Sequence, residues 1–175
     1  MNKTIYKRFN IELVAEDQEQ YESIEIKDKQ VASTEVATQV NKIFRLNRKP
    51  EEYLILLCLN AKNYINGIFE VSHGNDMSTA APVANILKRA LLVNSSKIII
   101  CHNHPSGNLT PSKADYQLTD QLYDAAELIG IQLLDHIIIG NNDDYNSILN
   151  KKVGVKVWQV LRDYKKWLKD KTMQH

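Results

Sequence analysis

Residues 97–120 read KIIICHNHPSGNLTPSKADYQLTD, and the order of properties along them sets the architecture. Ile98 to Ile100 form a β-branched run ending at Cys101, with the continuous apolar character of a buried strand. His102 to Pro111, punctuated by Pro105, Gly107 and Pro111, reads as a tight loop. Ser112 is placed to cap a helix with Leu118, Leu122, Ala125, Ala126 and Ile129 inward and Gly130 as its left-handed terminator. Strand, loop and helix in immediate succession point to a sheet covered by helices.

The flanking sequence repeats the pattern. Downstream, IQLLDHIII (131–139) reads as another strand, GNNDD as a turn and YNSIL as a short strand. Upstream, Pro82 suits the first turn of a helix with Val83, Ile86, Leu87, Ala90 and Leu91 on one side. YLILLCL (53–59) and the alternating YINGIFEVS (64–72) read as a hairpin with one buried strand. Before it, Ser33 is predicted to cap a helix carrying Val36, Val40, Ile43 and Phe44 on one face, stopped by Pro50. Alternation at Phe9, Ile11 and Leu13 suggests an edge strand, and Val157, Leu161, Tyr164 and Leu168 mark a last amphipathic helix. The predicted organisation is a 1–30 extension, a mixed α/β domain over 31–150 and a basic helix over 151–175 packed on that domain. With 175 residues, 43% of them apolar, one substantial core is expected.

Charge and cysteines exclude several classes. A net charge of +1 argues against a globally basic nucleic-acid binder and an acidic disordered chain. Cys58 and Cys101 sit in apolar runs without CxxC spacing, against a disulfide scaffold or a cysteine zinc knuckle. The first seventeen residues are interrupted by Lys7, Arg8, Asn10 and Glu12, which rules out a signal-peptide core, and no apolar run approaches membrane-spanning length. A soluble cytoplasmic protein with no membrane association is expected. Glycine-rich phosphate loops are absent.

The chemistry concentrates in HNHPSGNLTPSKAD (102–115). His102 and His104 are two apart, so on an extended strand end both imidazoles project to one side and Asn103 to the other. Ser112 and Asp115 have the spacing of an N-cap and the third helical residue, which turns a carboxylate back toward the histidines. Each half is commonplace alone; together they supply three ligands for Zn2+, whose fourth position would hold an acidified water.

His-x-His-Pro followed by Ser-x-x-Asp resembles the JAMM (MPN) metalloprotease motif, and the fuller segment is similar to its RadC branch. NKIFRLNRKPEEYLILLCLNAKNYINGIFEVSHG, KIIICHNHPSG and IGIQLLDHIIIG extend the resemblance over roughly Val31 to Leu149. It implies a cytidine-deaminase-like JAB/MPN fold and zinc on His102, His104 and Asp115. It also implies Ser112 stabilising a tetrahedral oxyanion and an upstream glutamate moving protons while metal-bound hydroxide attacks a peptide or isopeptide carbonyl. Glu52, in PEEYLILL, is favoured for that glutamate over Glu70, in IFEVSHG. Related chains carry arginines where this one has His73 and Val83, which puts any contact made by those arginines in doubt. His73 is read as a structural loop histidine, Asp135 and His136 as core or supporting residues, and Cys101 as packing. A nucleobase deaminase is excluded, because its His-x-Glu and Pro-Cys-x-x-Cys signatures are missing. Oligomeric state is not encoded in any motif.

The family's full-length members also carry a DNA-contacting helix-hairpin-helix region, for which this sequence is too short. The competing reading is a DNA-associated RadC-like accessory protein with little hydrolase activity, and its local support is the end of the chain. Eight cations against Asp163 and Asp170 leave residues 151–175 at +6 and the remainder at −5. Trp158, Tyr164 and Trp167 lie among those cations, yet a solvated helix with its aromatics packed inward is the favoured account of the pattern. Weak, sequence-independent DNA binding is the most that is expected. If it occurs, log affinity should fall with log salt at about −0.9 per neutralised phosphate, and truncation after Asp163 should weaken it and flatten the slope. Unchanged affinity and slope on truncation, or no binding at low salt, would remove the nucleic-acid role.

Overall fold

The computed structural model of the chain describes residues 29–74, 80–141 and 144–149. The predicted edge strand near Phe9 and the basic helix from Lys151 lie outside them. The elements run α1 (Lys29–Phe44), a 3-10 turn (Leu46–Arg48), β1 (Tyr53–Leu59), β2 (Ile65–His73), α2 (Ala80–Leu92), β3 (Lys97–Asn103), α3 (Lys113–Leu128), β4 (Gln132–Ile139) and β5 (Tyr145–Ser147). This is the mixed α/β arrangement expected from the sequence.

One sheet of five strands has the order β2-β1-β3-β4-β5. β1 pairs antiparallel with both β2 and β3, β4 lies parallel to β3 through the α3 crossover, and β5 returns antiparallel to β4. The apolar runs occupy the interior: β1 and β3 each bury six successive residues, whereas β2, at the edge, is mostly part-exposed. On one face Leu54, Leu56, Ile98 and Ile100 pack with Ile86 and Ala90 of α2 and Leu118, Leu122 and Ala126 of α3. On the other, Ile55, Leu57, Ile99, Cys101 and Ile137 pack with Val36, Ala37 and Val40 of α1. Burying both faces is what allows the inner strands to be apolar at every position.

Helix boundaries differ from the sequence reading in physically informative ways. α1 begins at Lys29, so Ser33 lies inside it and is not its cap. It ends at Phe44, well before Pro50, because Arg45 turns left-handed (φ 51°) and swings Leu46 into the core. The Asn41 side chain accepts the Asn47 N–H and fixes that turn. Pro82 does fall in the first turn of α2, but Leu91 at its far end is 58% exposed. α3 is capped by Ser112 as expected. At its other end Gly130 (φ 76°) reverses the chain, with Ile131 N–H bonding Ala126 O and Gly130 N–H bonding Glu127 O. That reversal returns Ile131 to the core and leaves Ile129 partly in solvent.

A bulge in β4 decides which way His136 points. Ile98 pairs with Leu133 but Ile99 pairs with Asp135, so Leu134 is an extra residue. Below the bulge Leu133 faces the α2/α3 core, and above it Ile137 and Ile139 face α1. His136 alternates with those two positions and is thereby turned to the α2/α3 side, where its ring meets His102.

Ile100→Ala, at a fully buried position under α2 and α3, is expected to cost about 2–5 kcal/mol. Leu128→Ala, on a largely exposed side chain, should stay within about 0.5 kcal/mol of the parent. Urea unfolding midpoints at unchanged m-value check both.

Candidate metal centre

Three side chains meet where β3 ends and α3 begins. His102 is opposite Leu54 on β1 and Ile138 on β4 and is wholly buried; His104 follows immediately after the strand. Their Nε2 atoms are 3.0 Å apart. Asp115 reaches back from α3 with Oδ1 3.2 Å from His102 Nε2 and Oδ2 3.4 Å from His104 Nε2. Among the described residues, these are the side chains whose donor atoms lie close enough together to hold a metal ion.

Local chemistry explains the convergence. Ser112 Oγ accepts the Asp115 N–H at 3.2 Å while the Ser112 N–H donates to Asp115 Oδ2 at 2.6 Å, a reciprocal capping box. The cap aims the carboxylate, and the positive end of the helix favours its charge. The loop between histidines and helix is held by its glycine: Gly107 adopts φ 72°, and a Cβ there would run into the Asn141 side chain. Leu109 O also accepts from Asn146 Nδ2 at 2.6 Å, which ties the loop to β5.

His104 Nδ1 lies 2.5 Å from Asn108 O. A carbonyl only accepts, so in neutral His104 the proton sits on Nδ1 and the Nε2 lone pair faces the cluster. Asp115 likewise offers acceptors. Lone pairs crowded this closely call for positive charge between them, and two nitrogens with a carboxylate oxygen are a donor set that could hold a metal ion. The electrostatics agree. The hydrogen bond with Asp115 raises the His104 pKa against a smaller opposing effect of burial. Burial pushes the Asp115 carboxyl up, but the adjoining His102 and His104 imidazoles prevail and hold it well below the carboxylate range.

A cavity of about 430 Å³ opens over the cluster, with Glu52, His104, Ser106, Thr110, Ser112 and Asp115 in its wall. Glu52 stands beside it because the start of β1 lies against the end of β3. Asn103, pointing away from the histidines, accepts the Tyr53 N–H at 2.8 Å and donates to Glu51 O at 2.9 Å. Gly74 N–H also bonds Glu52 O. Glu70 is exposed on β2, 2.9 Å from His73 Nδ1, and His73 stacks on Tyr53. Cys101 lies in the α1-side core, where burial pushes its thiol well up.

Two further polar residues are buried behind the cluster. His136 Nε2 is 2.7 Å from His102 Nδ1, and His136 Nδ1 is 2.6 Å from Thr119 Oγ1, all three residues being fully buried. Burial, then the neighbouring His102, lowers the His136 pKa well below its ordinary value. Nothing in the sequence singles out Thr119; its one signal is a hydroxyl beside Leu118 on the inward face of α3, one turn after Asp115.

A helix-covered mixed sheet presenting His-x-His and a capping aspartate at the end of an inner strand defines a JAB-type domain. The chain belongs to the RadC-like JAB domain family, which it matches over residues 31–153. A UPF0758 protein of Clostridium beijerinckii is 45% identical over 97 residues, 55% of this chain and 42% of that protein. A UPF0758 protein of Clostridium tetani is 47% identical over 103 residues, 59% of this chain and 45% of its own length. The similarity thus spans less than half of these relatives. Among the described residues no helix is long and apolar enough to cross a membrane.

In metal-free protein, stability is expected to peak near neutral pH. His136 has its folded pKa lowered, so below about pH 6.5 the unfolded chain binds more protons and stability is lost as the pH is lowered. His104 acts oppositely: its folded pKa is raised, so its contribution is present below about pH 6.5 and is lost as pH rises through the folded value. Urea midpoints measured across this range in chelator check the profile, and His136→Gln should flatten its acid limb.

Proposed function

We propose that the chain is a zinc-dependent hydrolase of JAMM type, acting on a peptide or isopeptide bond, with His102, His104 and Asp115 holding Zn2+. The observation that carries this reading is the convergence of three acceptor side chains, two of them buried, beneath a cavity whose wall includes a carboxylate and a hydroxyl. Zinc at such a site supplies Lewis acidity toward a carbonyl and toward water.

The remaining roles belong to the chain's own groups. Glu52 is the proton carrier: Asn103 and Gly74 hold its backbone at the cavity edge, where the carboxylate takes a proton from water and returns it to the leaving amine. Ser112 uses its oxygen lone pair for the cap and keeps its hydroxyl hydrogen for the oxygen that gains negative charge. Ser106, Asn108 and Thr110 give the cavity a polar rim suited to an extended peptide backbone. The alternative, a DNA-associated role, draws on the basic stretch from Lys151, outside the described residues, and the cavity offers nothing that favours it.

Purified protein is expected to carry about one Zn2+ per chain and His104→Ala much less; equal content in both would sink the assignment. With a substrate drawn from a peptide and isopeptide library, Glu52→Gln should keep its zinc and lose about 100-fold or more in turnover. Glu70→Gln should behave as wild type. The reverse pattern would transfer the proton role to Glu70.

A further inference from the structure

We infer that Thr119 and His136 form with His102 a buried, one-way hydrogen-bonded chain that fixes His102 in the tautomer presenting a bare Nε2 to Asp115. Both are then positioning residues for the metal centre. The inference rests on the ligand assignment proposed above and adds two residues to it.

The direction of the chain follows from counting protons. Thr119 Oγ1 lies 2.6 Å from the Asp115 carbonyl oxygen, one helical turn back. A carbonyl can only accept, so that bond consumes the single hydroxyl hydrogen of Thr119. The contact between Thr119 Oγ1 and His136 Nδ1 at 2.6 Å then has one donor left, the Nδ1–H of His136. A fully buried imidazole whose nitrogens meet a hydroxyl and a second imidazole carries one proton, because burial without a bonded counter-charge disfavours the cation. His136 Nε2 is therefore an acceptor, and across 2.7 Å the donor to it is His102 Nδ1–H. That leaves His102 Nε2 with its lone pair, 3.2 Å from Asp115 Oδ1 and 3.0 Å from His104 Nε2.

His104 reaches the same state by a simpler route, through the Asn108 carbonyl. His102 has no backbone carbonyl in that place, and the His136 ring fills it from the next strand because the Leu134 bulge turns it there. The chain also starts on the ligand-bearing helix: the carbonyl receiving the Thr119 hydrogen belongs to Asp115 itself. One hydroxyl thus links the helix turn that carries the carboxylate to the ring orientation of His102. With Thr119, His136 and His102 all fully buried, water has no ready access to replace a missing member.

Long-range 1H–15N spectra of the histidine rings in metal-free, 15N-labelled full chain read the tautomers directly, with His102→Gln and His136→Gln assigning the signals. Nδ1–H forms are expected for both His102 and His136; an Nε2–H form of either overturns the chain. Zinc affinity is then measured by chelator competition. Thr119→Val, of similar shape but without the hydroxyl, should weaken zinc binding about 10- to 100-fold, and Thr119→Ser should restore it. If Thr119→Val shifts the urea midpoint but leaves zinc affinity and the His102 tautomer unchanged, Thr119 is only a packing residue and the inference fails. Should Thr119→Val not fold, the wild-type tautomers and the Thr119→Ser affinity decide. If wild-type protein takes up no zinc, the hydrolase reading falls, and the tautomers alone test the chain.

Discussion

Two imidazole nitrogens and a carboxylate within 3.4 Å of one another, with His102 fully buried and Asp115 nearly so, are an arrangement that repels itself unless a positive charge enters. A protein tolerates such a cluster only if the surrounding structure holds each group where it stands. That requirement accounts for much of the local architecture. β3 is flanked on both sides by other strands, so its end is rigid. The intervening loop is pinned at Gly107 by backbone conformation and at Leu109 by Asn146, and α3 cannot start elsewhere without losing its capping box.

Asp115 carries two obligations that reinforce each other. As the third residue of α3 its Oδ2 satisfies the Ser112 N–H, one of the donors a helix start leaves without partners. The same oxygen lies toward His104, and Oδ1 lies toward His102. Helix nucleation and the placement of this carboxylate beside the two histidines are thus one structural event, and a carboxamide at this position would disturb the cap as well as the charge. Ser112 shares this double character, since it ends the loop, caps the helix and stands in the cavity wall.

Much of this is legible in the sequence, and the exceptions have physical causes. Buried strands announce themselves as continuous apolar runs, and the HNHPSGNLTPSKAD segment carries strand end, turn, cap and the proposed ligands. The limits of α1 escape a sequence reading because a left-handed Arg45 breaks the helix where no glycine or proline signals it. Simple periodicity puts Ile129 inward, and it does not register that Gly130 reverses the chain and hands the core position to Ile131. The bulge at Leu134 is invisible for a similar reason: strict alternation groups His136 with Leu134, on the α1 side, and only the β3/β4 register shows otherwise. Thr119 looks like an ordinary polar interruption of a helix, since its significance depends on a histidine seventeen residues away.

The triplet His102-Asn103-His104 shows how one strand end organises both halves of the site. Alternation sends the outer two side chains to the cluster with Asp115 and the middle one to β1. There Asn103 replaces the ladder bonds that a longer β3 would have made, accepting from Tyr53 N–H and donating to Glu51 O, on either side of Glu52. The placement of the proposed proton carrier relative to the two histidines is therefore set within three consecutive residues, while Asp115 is brought in by the loop and the cap of α3. A one-residue slip of β3 would exchange the two sides, placing Asn103 in the cluster and a histidine against the β1 backbone. Six successive pairings between β1 and β3, from Leu54–His102 to Leu59–Lys97, hold that register. The apolar residues that make β1 and β3 unremarkable as a core are thus what keep the chemistry aligned.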